Sequence, residues 1–370
     1  MTEIDLSGIA FYAPMKSPKH PVPSGDREMA RNLMALLAGG PPGQRAPLSV
    51  ELVSQLRIFD KEGRTSRQQD LAAKSDFEVD RLLQEMPPLD LWVTYHNYYK
   101  APDLIGPRVA RARNIPYVQI ESTRAQKRLI GPWSEFAAKA HAAADAADVI
   151  FYLTNQDKEA LERDRFADQI LAPLPPFLPF ASLPKASTGL GPMLTAGMMR
   201  EGDKLASYQL IADTLGHLNQ DWRLDIAGDG PARAAVEALM APFGTRIRFL
   251  GQLAREELAR HYEQASLFLW PGVNEAFGMV YLEAQSHGLP VVAQDRPGLR
   301  DVLSPEGQYP RPEEGSLAIA QRVGQLLREA DLRHTLGQKA RRCIAQNHLA
   351  TSGSAAFWSA VTPVLREKSH

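Results

Sequence analysis

The stretch Leu267-Phe268-Leu269-Trp270-Pro271-Gly272-Val273-Asn274-Glu275-Ala276-Phe277-Gly278-Met279-Val280-Tyr281-Leu282-Glu283-Ala284 decides the fold, with Pro290-Val291-Val292-Ala293 following after Gly288. Leu267 to Trp270 reads as a buried strand, and Pro271 and Gly272 end it. Helical character is expected near Gly278, because Met279, Leu282 and Ala284 offer an apolar face. The next apolar run is a second strand. Strand, loop, short helix, strand is half of a parallel α/β layer. Ligands of such layers gather at the carboxyl ends of the strands, where Glu275 should sit.

A helix start carries unpaired N–H groups and the positive end of the dipole. Gly278 lets a ligand approach the backbone. The amides of Phe277, Gly278, Met279 and Val280 therefore form a seat for phosphate or sugar hydroxyl oxygens. Glu275 precedes that seat, and Glu283 lies one to two turns into the helix. Carboxylates accept hydrogen bonds from vicinal hydroxyls and are poor direct partners for phosphate. The combination suits a ligand with hydroxyls at both ends and phosphate in the middle, as in a nucleotide sugar. Two solvated glutamates on an ordinary loop and helix are the alternative that spacing alone leaves open.

Outward from this stretch, strand–helix alternation fills the 370 residues, enough for two domains. Strands are expected at 8–13, 49–53, 89–95, 116–120, 148–154 and 169–172. Asp26 is read as a helix N-cap, with Gly25 a tight-turn residue before it, and Asn155-Gln156-Asp157 as a second cap. Four prolines between Pro173 and Pro179 cannot hold a helix or a central strand, and 173–192 reads as a linker. Beyond it lie strands at 193–197, 223–227, 247–250, 267–270 and 291–293, then helices near 316–328 and 332–347. A last helix carries Phe357, Trp358, Val361 and Val364. The expected fold is α/β, two Rossmann-like doubly wound parallel sheets facing a cleft. The expected domains are 1–183, 184–347 and a C-terminal helix, 348–370, that crosses back to the first.

Net charge is −1, so no global field points to nucleic acid. The single cysteine, Cys343, excludes an internal disulfide and is read as core. The acidic start lacks an apolar targeting run, and no run approaches the roughly 18 apolar residues of a membrane-crossing helix. The cytoplasm is the expected compartment.

Gly228-Asp229-Gly230-Pro231 imitates a dinucleotide fingerprint, but Arg233 stands where the third glycine belongs. A tight turn fits better. Gly251-Gln252-Leu253 is another turn, with Gly251 and Leu253 candidates to face a flat base. Arg200 and Lys204 follow the strand at 193–197, and such cations would neutralise a diphosphate. His96 ends a strand of the first half, where it could bind a sugar hydroxyl or move a proton. Glu121, Ser122 and Arg124 end the next. Residues 100–130 hold seven basic side chains against Asp103 and Glu121, an excess that could face an anionic acceptor, an anionic membrane or simply solvent. No Asp-x-Asp ends a strand, so no diphosphate-bridging metal is demanded.

With these residues in place, the second half resembles the GT4 family of retaining glycosyltransferases, which have the GT-B fold. The resemblance runs over about 193–303. It is carried by Ile226-Ala227-Gly228-Asp229-Gly230-Pro231, Phe249-Leu250-Gly251, Glu256-Glu257-Leu258, Pro271, Glu275-Ala276-Phe277-Gly278, Glu283-Ala284 and Gly288-Leu289-Pro290-Val291-Val292-Ala293. It implies that Glu283 holds the donor ribose and that Glu275 contacts the donor sugar. The amides of Phe277 to Val280 would meet sugar hydroxyls and diphosphate, and Arg200 with Lys204 resembles the family's diphosphate-binding pair. Met198 stands where the usual arginine follows the glycine. Pro23 to Arg27, with Gly25, resembles the family's first loop, and Glu121-Ser122 replaces a histidine common there. The implied function is hexose transfer from a nucleotide sugar to a glycan, lipid-linked or small-molecule acceptor, in cell-envelope polysaccharide synthesis, with no metal or other cofactor. The alternatives are a nucleotide-sugar epimerase of the same fold and a non-catalytic nucleotide-sugar-binding module.

Overall fold

The computed structural model describes residues 6–22, 24–44 and 46–368. It divides into two compact units, 1–175 with 350–370, and 176–349. The first alternates β1 (Gly8–Tyr12), α1 (Gly25–Ala38), β2 (Ser49–Leu52), α2 (Thr65–Glu85), β3 (Leu91–Asn97), α3 (Gly106–Arg113), β4 (Tyr117–Ser122), α4 (Ser134–Asp145), β5 (Val149–Tyr152), α5 (Asn155–Arg163) and β6 (Ile170–Pro173). The second alternates β7 (Met193–Ala196), α6 (Asp203–Gly216), β8 (Leu224–Ala227), α7 (Arg233–Met240), β9 (Ile247–Gly251), α8 (Arg255–Tyr262), β10 (Phe268–Leu269), α9 (Met279–Ser286) and β11 (Val291–Val292). It closes with α10 (Gly315–Arg328) and α11 (Ala330–Asn347), and α12 (Ala350–Lys368) follows.

Both sheets are parallel. Their strand orders are β2-β1-β3-β4-β5-β6 and β11-β10-β7-β8-β9. Helices cover both faces of such sheets, so central strands read as unbroken apolar runs. All five residues of β1 and all seven of β3 are buried accordingly. In both sheets the strand order reverses beside the first strand, at β1/β3 and at β10/β7. These reversals are where a doubly wound sheet opens a crevice at its carboxyl edge.

Three boundaries differ from the sequence reading. Ser24, not Asp26, caps α1, its side chain accepting from Arg27 N, and Gly25 is the first helical residue with an ordinary negative φ. A serine hydroxyl reaches the N3 amide as well as a carboxylate does, and Ser24 stands two residues nearer the strand than Asp26. Thr154 caps α5 by the same contact to Asp157 N. Residues 176–183 belong with the second unit, where Leu178 N donates to His348 O at 2.8 Å and Arg255 lies over the Phe180 ring. Proline removes helix and ladder bonds from a segment but does not stop it docking as extended chain. Pro23 lies outside the described residues.

The last helix packs on the first unit. The Phe357 ring stacks on Phe151 of β5 at 5.0 Å, and Phe357, Trp358 and Val361 are buried. Each such side chain contributes roughly 2–3 kcal/mol of hydrophobic stabilisation. Cys343 is half-buried rather than core, because α11 buries Gly337, Ala340 and Ile344 instead.

Candidate functional site

In the second unit three strand-end turns are laced to one another. Gly197 N donates to Ala227 O, Gly228 N to Gly251 O at 2.7 Å, and Met199 N to Asp229 O at 2.9 Å. The glycines are needed for this approach. A Cβ on Gly228 would lie 1.9 Å from Gly197 O, and one on Gly230 2.3 Å from Met199 O. Gly228-Asp229-Gly230 is therefore a backbone crossing.

The loop after β10 meets this edge. Gly272, Asn274 and Gly278 have positive φ, and Gly278 at φ 60 is the N-cap of α9. A Cβ on Gly278 would sit 2.7 Å from the Tyr281 ring and 2.9 Å from Glu275 Cγ. This turn aims Glu275 at α6. Glu275 Oε2 accepts from Lys204 Nζ at 2.5 Å and from Trp270 Nε1 at 3.2 Å, and Lys204 Nζ lies 5.2 Å from the Trp270 ring. Glu275 and Lys204, read from sequence as contacts to different parts of a donor, are thus ion-pair partners. Lys204 stands near the N-terminus of α6 because Gly202, at φ 79, turns the chain into that helix.

Glu283, half-buried on α9, accepts from Tyr262 OH at 3.2 Å. Tyr262 is buried and stacks on His287, whose Nδ1 lies 2.8 Å from Lys185 O. Sequence reasoning missed Tyr262 and Trp270. Trp270 ends an apolar run and Tyr262 a charged helix, and nothing in the chain alone says which buried aromatic turns its polar atom toward a carboxylate. Arg200 is half-buried and has a polar partner, Gly251 sits at φ 71, and Leu253 is half-buried. Phe277 is buried, while Met279 and Val280 form the half-buried first turn of α9.

The first unit builds a separate constellation around His96. His96 and Glu121 stand one residue before the ends of β3 and β4, with φ of 71 and 59. Non-glycine residues rarely take such values, which cost energy and persist only where the surroundings enforce them. The enforcement is visible next door: Asn97 Nδ2 donates to Gln119, Ser122 and the Ala140 carbonyl at 2.9–3.2 Å, and its Oδ1 accepts from Asp103 N. Strand register resumes at Asn97–Ser122 beyond the two turned residues. The His96 ring lies with Nδ1 3.5 Å from Glu121 Oε2 and Nε2 3.6 Å from Asp26 Oδ1. Burial pushes the Glu121 carboxyl up to about 7, with Asp26 and Asp157 adding to the rise and His96 opposing it. Burial alone would depress the His96 imidazole, but Glu121 and Asp26 outweigh it and raise its pKa. Gly25 starts α1 with nothing within 4 Å of where its Cβ would be.

Most of the basic run at 100–130 has partners within the first unit. Arg124 is buried against Asp145 at 2.5 Å, Arg108 pairs with Asp76, and Arg113 donates to three carbonyls of 82–86. Lys100 and Arg128 lie over Tyr99 and Trp133. Among the described residues no three His, Cys, Asp or Glu side chains gather as a metal site.

Two parallel-sheet units of this topology define a GT-B protein. Similar solved structures include sucrose-phosphate synthase from Thermosynechococcus elongatus, TM-score 0.72 and 16% identical, covering 97% of this chain and all of that one. Another is Anabaena Alr3699/HepE in complex with UDP, TM-score 0.69 and 14% identical, covering 96% and 100%. Residues 193–329 match the glycosyl transferases group 1 family, and the second unit is a domain of that family. Among curated relatives, sulfoquinovosyl transferase SQD2 of Arabidopsis thaliana is 36% identical over 102 residues, 28% of this chain and 19% of that protein. D-inositol 3-phosphate glycosyltransferase of Corynebacterium urealyticum is 37% identical over 101 residues, 25% and 22%. The matched stretch spans about a fifth of those relatives.

Proposed function

We propose that the chain is a retaining hexosyltransferase that uses a nucleotide-sugar donor, with the donor on the second unit and the acceptor on the first. The observation that carries this is Glu275, Gly278 and Glu283 on one turn-and-helix, with Lys204 held 2.5 Å from Glu275. Glu283, steadied by Tyr262, receives the ribose hydroxyls. Glu275, steadied by Trp270, receives the sugar hydroxyls. Lys204, Arg200 and the first amides of α9 take the diphosphate, whose negative charge grows as the anomeric bond breaks. The acceptor oxygen bonds to the anomeric carbon on the face the diphosphate leaves, and a departing phosphate oxygen takes the acceptor proton. No metal or other cofactor is required in this scheme. A solved neighbour, Alr3699/HepE, holds UDP, which supports a nucleoside diphosphate donor.

The same reading puts the enzyme in cell-envelope polysaccharide synthesis, in the cytoplasm at the inner face of the membrane. Leu129 and Ile130, the latter 84% exposed, project beside Lys127 and Arg128. Apolar tips flanked by cations suit an anionic bilayer surface. No described helix is long and apolar enough to cross a membrane.

A thermal-shift screen against UDP-, GDP- and ADP-sugars tests the donor assignment, since any ligand of the native state stabilises it. Incubation of the stabilising sugar with and without acceptor, followed by NMR, then tests transfer. Stabilisation by no nucleotide sugar would refute the donor site, and interconverted sugar in the absence of acceptor would make the chain an epimerase.

A further inference from the structure

The cluster at the carboxyl ends of β3 and β4 is built as a site and has open valences. His96 Nε2, Glu121 Oε2 and Tyr95 OH are buried and none meets a partner at full hydrogen-bond geometry: Glu121 faces Tyr95 OH and lies 3.5 Å from His96 Nδ1, and His96 Nε2 lies 3.6 Å from Asp26. A fold leaves few such atoms, because each costs the desolvation of a polar group. Here three converge where two backbones are held at positive φ, beside the β1/β3 reversal. The His96 side chain, 7% exposed, forms the floor; Asp26, 40% exposed, forms the open rim. The charged groups around it are Asp26 on α1, Glu121 on β4, Asp157 on α5 and Lys16 on the β1–α1 segment. Once Glu121 ionises, which burial delays to about pH 7, that sets three carboxylates against at most two cations. Phosphate would meet net negative charge in a poorly solvated place. A sugar hydroxyl would complete the set, donating to Glu121 Oε2 and accepting from Tyr95 OH or a protonated His96.

We propose that Glu121, His96 and Tyr95 form a saccharide subsite in the first unit that takes uncharged hydroxyl-bearing sugars and rejects their phosphates. This rests on the reading that the first unit binds the acceptor, and it assigns that acceptor a neutral terminal residue. Glu121 is the discriminating residue, through its charge and its open oxygen.

Saturation-transfer NMR on the full chain tests the subsite directly. The probes are methyl α-glucoside, methyl α-mannoside, methyl α-galactoside and myo-inositol, each beside its phosphate ester. At least one neutral probe is expected to bind, and its phosphate at least about tenfold more weakly, on the scale of one like-charge contact. Glu121→Leu should abolish neutral binding. Glu121→Gln, which keeps a hydrogen-bonding oxygen and the shape, should retain it and relax the discrimination. Binding of no neutral probe, a phosphate binding as well as its parent sugar, or neutral binding indifferent to Glu121→Leu would each overturn the proposal. Calorimetry with UDP, GDP and ADP on the same samples reads the donor side separately. Its failure would sink the transferase reading while leaving the sugar result to be judged by itself.

Discussion

Glu121→Gln removes a carboxyl that burial raises to about 7 from an ordinary 4.5 while leaving a side chain of the same shape. A group whose pKa is raised in the fold holds its proton more tightly there than in the unfolded chain. Its stability contribution is present below the unfolded value and is lost as pH climbs through the folded one. At 1.36 kcal/mol per unit the shift corresponds to about 3 kcal/mol, most of it lost between pH 5 and 8. Loss of Glu121 also removes the neighbour that raises the His96 pKa, which penalises the variant on the acid side and works in the same direction. The variant should therefore gain on the native protein as pH rises from 5 to 8. For a unit of this size the change in relative Tm is roughly 5–10 °C. Scanning calorimetry of both proteins at both pH values measures it. An offset that does not change with pH, or that changes in the opposite sense, would refute the account of Glu121 as a buried acid.

Glu283→Ala should weaken nucleotide-sugar binding by roughly 1.5–3 kcal/mol, the scale of hydrogen bonds to a charged group, and unchanged calorimetric affinity would remove Glu283 from the donor site. Gly278→Ala should destabilise the fold by about 1–2 kcal/mol, since φ is 60 and the new Cβ would crowd Tyr281 and Glu275; urea titration reads the stability, and donor affinity should fall with it. Activity should survive EDTA, and complete loss restored by Mg²⁺ would contradict the metal-free scheme. Ile130→Glu should reduce co-sedimentation with anionic liposomes but leave donor binding intact, and equal sedimentation of the two proteins would end the membrane proposal.

The alternation of strands and helices was legible because a parallel sheet covered on both faces makes continuous apolar strands, and β1 and β10 are such runs. Gly278 and the spacing of Glu275 and Glu283 were legible too, since they sit on one turn and one helix whose geometry is local. The glycines at 228 and 230 were legible as turns. The reason they must be glycine, contact with the backbones of Gly197 and Met199, lies some thirty residues away in sequence. Charge counting at 100–130 leaves out partners for the same reason: Arg124 meets Asp145, and Arg113 finds carbonyls in another helix. Ion pairs form across space, and a tally along the chain does not see them.

By itself the sequence determined two doubly wound units and, in the second, a glycine turn that joins Glu275 to a short helix carrying Glu283, because both follow from periodicity and local backbone chemistry. Only the tertiary structure decided which side chains meet. It joined Glu275 to Lys204 and Trp270, and Glu283 to Tyr262. It also gathered Asp26, His96 and Glu121 from three separate elements into one buried cluster. Burial and mutual distance set the charge and the open hydrogen-bonding positions of that cluster, and those quantities exist only once the strands are side by side.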